Sequence, residues 1–508
     1  MKTRWFWTAL GAIPFLAAMV SMQSCGGEGG PVGGDGGGGL PSITQAFLDL
    51  MTPEQRTASN VGSERCADCH GGRGEEVVYH QWIETKHGER NVGCERCHGP
   101  GGAHEANPTQ TNILTYPKTT SPVVCAQCHG NIYDQWNTSQ HSKLITSPIS
   151  SMLTAPNTTR TSQCASCHSG LVRTQVNAQG ILNSSLTDQE IIDLGNNTLN
   201  VVPHSATCVT CHDPHMNTGN LSDDGKEVQL RKTVFNTDTG PIGPGQTANS
   251  FVNFDHTCAQ CHNGRGANPA DSALNSGTSR PNMHDSNQFN MLMGIGGVEG
   301  NGPVVRNTAH ANAAGQCSHC HMPDSRHTAT TSFDTGCAPC HTAADAAARV
   351  TSAKAEIVNG LLALRTRMEE WAIASFQNNP NYSTVNAGLI SHLWNYSSVI
   401  SEEATELGTT TAGIPSNHQS ANVPIQVKRA RHNYYFVIRD ASLAPHNAPY
   451  ANHLITVANQ NMDDLDTSIG SGSRSRRSAL NFQQMLRTIF RDREISNRAD
   501  LNSMNDGG

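Results

Sequence analysis

Hydrophobic and polar positions divide the chain into stretches of different character. Trp5 to Val20 is an apolar run behind Lys2 and Arg4, and Gly26 to Gly39 is nearly all glycine. From residue 61 to 341 little helical or strand period persists, and turn-rich sequence separates short apolar patches. After 341 the pattern changes. Val350, Ile357, Leu361, Leu362, Leu364 and Met368 recur at three- and four-residue steps and predict one long helix over Thr342 to Phe376. Ser383 to Glu406, Ile425 to Asp440, Pro449 to Leu465 and Ser478 to Phe490 predict further helices, joined by loops with Gly, Pro and Asn. The expected fold is mainly α with very little β. Short helices and loops fill 61–341, and a region of long helices over 342–508 packs on them as one unit.

The N-terminus predicts export. Basic residues followed by an apolar run too short for a confident bilayer span read as a signal peptide over residues 1–24. Ser21-Met-Gln-Ser-Cys25 resembles a bacterial lipoprotein signal, in which the cysteine is lipidated and becomes the first mature residue, although Met22 and Gln23 replace the usual Leu-Ala-type residues. Ordinary signal cleavage with a spare thiol is the alternative. Lipidation accounts better for the odd cysteine, because it leaves no free thiol in an oxidising compartment. Gly26 after that cysteine, rather than Asp, reads as an outer-membrane address, on the periplasmic face or the cell surface. Residues 25–60 then form the lipidated end and a flexible glycine-rich tether.

Sixteen of the 17 cysteines fall into eight copies of Cys-x-x-Cys-His. They are Cys66/Cys69/His70, Cys94/Cys97/His98, Cys125/Cys128/His129, Cys164/Cys167/His168, Cys208/Cys211/His212, Cys258/Cys261/His262, Cys317/Cys320/His321 and Cys337/Cys340/His341. In this spacing two thiols capture the two vinyl groups of a haem while the adjacent histidine reaches the iron. A structural zinc site needs four converging ligands and has no use for a histidine after every pair. A disulfide framework predicts irregular spacings, and a thioredoxin-like motif occurs once. Eight covalently bound haems c are therefore expected, with the short helices and loops of 61–341 wrapped around them.

Composition then makes sense. Only 36% of residues are hydrophobic and 5% aromatic, thin for 508 residues unless macrocycles supply apolar interior. The net charge of −8 argues against a nucleic-acid partner. Eight of the 24 histidines are the proximal ligands His70, His98, His129, His168, His212, His262, His321 and His341, which leaves sixteen for the second axial position. Supply exceeds demand, so most haems are expected to be bis-histidinyl. His319, inside its own motif, is expected in solvent.

The flanking residues resemble a multihaem superfamily. Tyr79-His-Gln-Trp82 with Lys86-His87 follows the first motif, and Tyr133-Asp-Gln-Trp136 with Gln140-His141 follows the third. Cys97-His98-Gly-Pro-Gly-Gly-Ala-His104 is similar to segments of tetrahaem cytochrome c554. From Cys164 onward the order of features resembles pentahaem nitrite reductase and octahaem hydroxylamine oxidoreductase: Cys211-His212-Asp-Pro214, His310, Cys320-His321-Met-Pro323, His327, the final motif, Arg431-His-Asn-Tyr-Tyr-Phe436 and Ser442-Leu-Ala-Pro-His446-Asn.

The resemblance implies that His446 serves the haem of His321, His310 that of His341, His327 that of His212 and His141 that of His262. His87, His104, His204 and His284 complete the distal candidates. It also marks the haem of Cys164/Cys167/His168 as the catalytic position of both enzyme families. Nitrite reductases usually have a proximal lysine there, and they carry a tyrosine and calcium ligands after the motif matching Cys261-His262, where this chain has Asn263-Gly-Arg265. Hydroxylamine oxidoreductase keeps a proximal histidine and has a tyrosine crosslink, for which Tyr434 and Tyr435 are candidates by region only. His284 lies where those enzymes carry an active-site histidine, and is either a distal ligand or the one candidate catalytic residue.

Two functions remain. One is an outer-membrane-anchored electron carrier passing electrons to or from extracellular acceptors or partner redox proteins. The other is an oxidoreductase acting on a small nitrogen or sulfur oxyanion at the fourth haem, with Arg280 or Arg265 lining an anion pocket. The missing lysine, tyrosine and calcium ligands favour the carrier. A homo-oligomer through the C-terminal helices is compatible with either.

Overall fold

The computed structural model describes residues 40–72, 78–143, 167–174, 205–235, 255–264, 269–275, 286–307, 309–338, 340–395 and 397–469. The expected signal peptide, Cys25 and the expected glycine-rich tether over Gly26 to Gly39, together with Cys164, His204, Arg265, Arg280, His284 and the expected helix over Ser478 to Phe490, lie outside these residues. Among them regular structure is helical, apart from two isolated β-bridges, His212–Leu230 and Leu221–Glu227. No described helix is long and apolar enough to cross a membrane.

Up to residue 341 the longest described helix, Gly130–Thr138, has nine residues. Several motifs form a helical turn of their own, as in Ser63–His70, Glu95–His98, Cys208–Cys211 and Cys317–His321. A turn of helix puts both cysteines and the histidine of one motif within reach of one ligand. Hydrogen bonds from polar side chains hold these pieces together. The Glu95 carboxylate accepts from the backbone N–H groups of Val61 (2.9 Å), Gly62 (3.0 Å) and Gly101 (2.7 Å), tying the lead-in to the second motif.

Four longer helices follow: α1 (Ala343–Phe376), α2 (Ser397–Glu406), α3 (Ile425–Arg439) and α4 (Ala448–Ile469). The Thr342 hydroxyl accepts from Asp345 N (3.2 Å) and caps α1. Ile357, Leu361, Leu364, Met368 and Trp371 bury one stripe of α1. That stripe lies parallel to α4, with Asn452 donating to Glu356, Gly360 facing Ile455 and Arg367 bonding Asn459 and Asp463. A Cβ on Gly360 would stand 3.2 Å from Ile455 Cγ2, so glycine permits the close approach. α3 and α4 run antiparallel, with Arg429 near Asn461 and Asn433 bonding the Leu454 carbonyl. α3 is buried on nearly every side, including Lys428 and Arg431.

The single helix expected over Ser383 to Glu406 is broken in two. A short 3-10 turn, Ala387–His392, precedes α2, and the Asn386 side chain accepts from Gly388 N (2.9 Å) at its start. Leu389, Ile390, Leu393 and Trp394 all face the core.

Amide side chains join the haem-motif region to the helices. Asn433 exchanges two bonds with the Val298 backbone (both 2.8 Å), and Asn447 two with Asn307 (2.8 and 3.0 Å). Asn287 donates to the Phe436 carbonyl (2.9 Å), and Ala259, Phe289 and Met291 belong to the same core as the helices.

Candidate haem sites

All eight motifs contribute residues to one continuous cavity of about 4030 Å³. Pockets for one small ligand usually hold roughly 300–1,000 Å³, so this one suits several cofactors.

Across the cavity, histidines distant in sequence face one another in seven pairs. The ring-centre separations are 6.4 Å for His70–His104, 6.2 Å for His87–His129, 5.9 Å for His98–His215, 6.2 Å for His141–His262, 6.3 Å for His212–His327, 6.3 Å for His310–His341 and 6.2 Å for His321–His446. Two imidazoles on opposite sides of one iron, each bonded at about 2 Å with its ring centre about 1.2 Å further out, stand about 6.4 Å apart. The separations fit a metal between each pair.

Every pair joins one motif histidine to one histidine outside the motifs. The structure brings together the four partners implied by the resemblance, gives His87 to His129 and His104 to His70, and leaves His204 and His284 undescribed. It also adds His215, which the sequence reading passed over. His215 follows His212 by three residues and looks like a neighbour of that haem. Instead Asp213, held by Arg231 (2.8 Å), accepts from His215 N (3.0 Å) and turns the chain so that the ring faces His98. His319, expected in solvent, is half-buried on the cavity wall. Tyr434 and Tyr435 do not line the described cavity. Tyr434 packs on Trp394, and Tyr435 accepts from Asn395 (2.6 Å).

The far nitrogens of these rings are mostly committed to acceptors. His98 Nδ1 meets the Leu114 carbonyl (2.8 Å), His104 that of Thr109 (3.0 Å), His212 that of Val228 (2.7 Å), His310 that of Pro445 (2.9 Å) and His327 that of Ser325 (2.8 Å). A proton held on Nδ1 leaves the Nε2 lone pair free for a metal. Burial, the largest cause, pushes the pKa down for His87, His98, His129, His212, His215, His262 and His327, and to about 4 for His141 and His321. These imidazoles are neutral at pH 7, the form that binds iron. His446 is the exception: burial opposes protonation, but the Asp440 carboxylate 2.5 Å away outweighs it and raises the pKa.

Contacts between cysteines of successive motifs order the sites. The free thiols of Cys66 and Cys94 are in hydrogen-bond contact, Cys97 lies near Cys128, the Cys125 thiol contacts that of Cys208 and Cys211 lies near Cys258. The Cys258 thiol in turn contacts that of Cys317, and Cys320 lies near Cys337 and Cys340. Cys167 touches Cys261 and so hangs the fourth motif on the sixth as a branch. His256, Cys258 and Cys317 also present metal-ligating atoms within 4.8 Å of one another, but both cysteines belong to haem motifs.

Residues 45–99 and 124–190 match the family model for cytochrome c554 and c-prime. Among solved structures, the outer cell wall cytochrome OcwA is similar, at 16% identity and a TM-score of 0.43, over 73% of this chain and 70% of that one. No curated protein matches the chain. Paired thiols with an adjoining histidine, imidazoles spaced for an iron between them and the family-model match agree: the chain is a multihaem c-type cytochrome that binds haem covalently and transfers electrons.

Proposed function

We propose that this protein is an electron conduit of eight haems c, one per motif, exported and held by a lipid on Cys25 to the outer membrane. It exchanges electrons with extracellular acceptors or partner redox proteins. Bound haem supplies the one-electron iron couple. The residues supply attachment, two axial ligands and a spacing that keeps neighbouring sites in contact.

The observation that carries the reading is the set of seven facing imidazole pairs. A histidine on each side of an iron fills both axial positions, leaving no vacancy for a substrate and no ligand exchange to slow electron transfer. The cysteine contacts support one continuous path, from the first motif through the second, third, fifth, sixth and seventh to the eighth, with the fourth as a side branch. The signal segment, Cys25 and the glycine tether support the anchor.

Intact-mass measurement with electron paramagnetic resonance of the oxidised protein tests this. Eight haems per chain, all low-spin, are expected. A stoichiometric high-spin haem that binds nitrite and turns it over would refute the pure conduit and establish oxyanion chemistry at the branch.

A further inference from the structure

We propose that Asp440 is a redox-tuning residue: its carboxylate, bonded to the far nitrogen of His446, makes the iron between His321 and His446 the most electron-rich among those of the seven described histidine pairs and the last of these to be reduced. The inference rests on reading that pair as axial ligands.

The argument starts from the contrast among ring nitrogens. Five of the facing histidines hand Nδ1 to backbone carbonyls, and His262 faces the Gln288 side-chain oxygen at 3.3 Å. Those acceptors are neutral. His341 does face a carboxylate, Asp345 at 3.4 Å, but that group is 43% exposed and bound to Arg349 at 2.8 Å, so its charge is screened and shared; His215 Nδ1 lies 4.0 Å from Asp213, beyond hydrogen-bond reach, and that carboxylate is bound to Arg231 at 2.8 Å. The Asp440 side chain is 1% exposed, and its Oδ1 lies 2.5 Å from His446 Nδ1. A carboxylate at that distance draws the Nδ1 proton and gives the imidazole part of the character of an anion, which donates more strongly to iron and favours the oxidised state.

The local backbone is shaped for this contact. Asp440 caps the C-terminus of α3, where the helix dipole disfavours a negative charge. Its second oxygen is held by the Ser442 hydroxyl and by Ser442 N (3.3 Å). On either side of Ser442, Ala441 (φ +65°) and Leu443 (φ +61°) adopt the left-handed conformation, which L side chains rarely take. The turn through these residues brings Asp440 to His446.

Spectroelectrochemical titration of the holoprotein, followed haem by haem with low-spin paramagnetic signals, tests the role. In Asp440→Asn one haem should move from the low end of the titration to a higher potential with altered g values, while the others keep theirs. Asp440→Glu should return it towards the wild-type position. Ser442→Ala, which keeps the carboxylate but frees one oxygen, should give a smaller shift in the same direction and serves if the Asn variant fails to mature. Unchanged titrations in the Asn variant, or in the Ala variant standing in for it, overturn the proposal, as does a uniform shift of all haems. His446→Gly separates the two levels. One haem turning high-spin there keeps the ligand pair even if Asp440 proves inert, whereas eight low-spin haems remove the pair and the tuning with it.

Discussion

His215→Gly is the sharpest test of the axial geometry, because nothing in the sequence marks His215 as the partner of His98. The two ring centres lie 5.9 Å apart with planes inclined by 18°, and His98 is fixed independently through Nδ1 to the Leu114 carbonyl. The His215 side chain is 45% exposed, so its removal empties little of the core, and the folding cost should stay within about 1 kcal/mol. The spectroscopic cost is large and countable. One iron in eight loses its second imidazole, so one-eighth of the low-spin signal should disappear, replaced by a high-spin or water-ligated haem. That haem should bind one cyanide per chain where wild type binds none. His319→Gly is the control, since His319 belongs to none of the seven pairs, and its spectrum should match wild type. If His215→Gly keeps every haem low-spin with no cyanide uptake while His98 still carries its haem, the reading of facing rings as ligand pairs is wrong.

Two further outcomes are expected. Cys25→Ala should leave haem content unchanged but release the protein from the membrane fraction if, as proposed, this cysteine bears the acyl chains that stable anchoring needs; persistent membrane association would remove the lipoprotein reading. His432, enclosed in α3, has its pKa pushed down to about 3, chiefly by burial, opposed in part by the Gly296 backbone and reinforced by Arg431 and Arg439. The unfolded chain takes up this proton near pH 6.5 and the folded chain near 3, so between those values the unfolded state binds more protons and stability falls as pH falls. His432→Leu should flatten that slope between pH 6 and 4 in denaturant unfolding followed by circular dichroism, and parallel curves for the two proteins would refute the burial argument.

Local patterns were legible in the sequence. A Cys-x-x-Cys-His motif is a local pattern, so eight candidate attachment motifs could be read without knowing the fold. The long helices α1, α3 and α4 follow from apolar spacing alone, because a helix buries residues three and four apart whatever it packs against. The broken Ser383 to Glu406 segment was not legible: Leu389, Ile390, Leu393 and Trp394 recur at three- and four-residue steps that suit one helix face, and nothing in that spacing marks the break. Which histidine meets which motif is a different kind of fact. His98 and His215, or His310 and the Pro445 carbonyl that orients it, come together only when distant segments close on one another, and no periodicity encodes that. The surplus of histidines set the number of possible ligands. Tertiary structure chose among them by turning His215 away from its own motif and by setting Asp440, at the end of one helix, against His446 before the next, because an axial ligand is defined by direction and distance to an iron rather than by position along the chain.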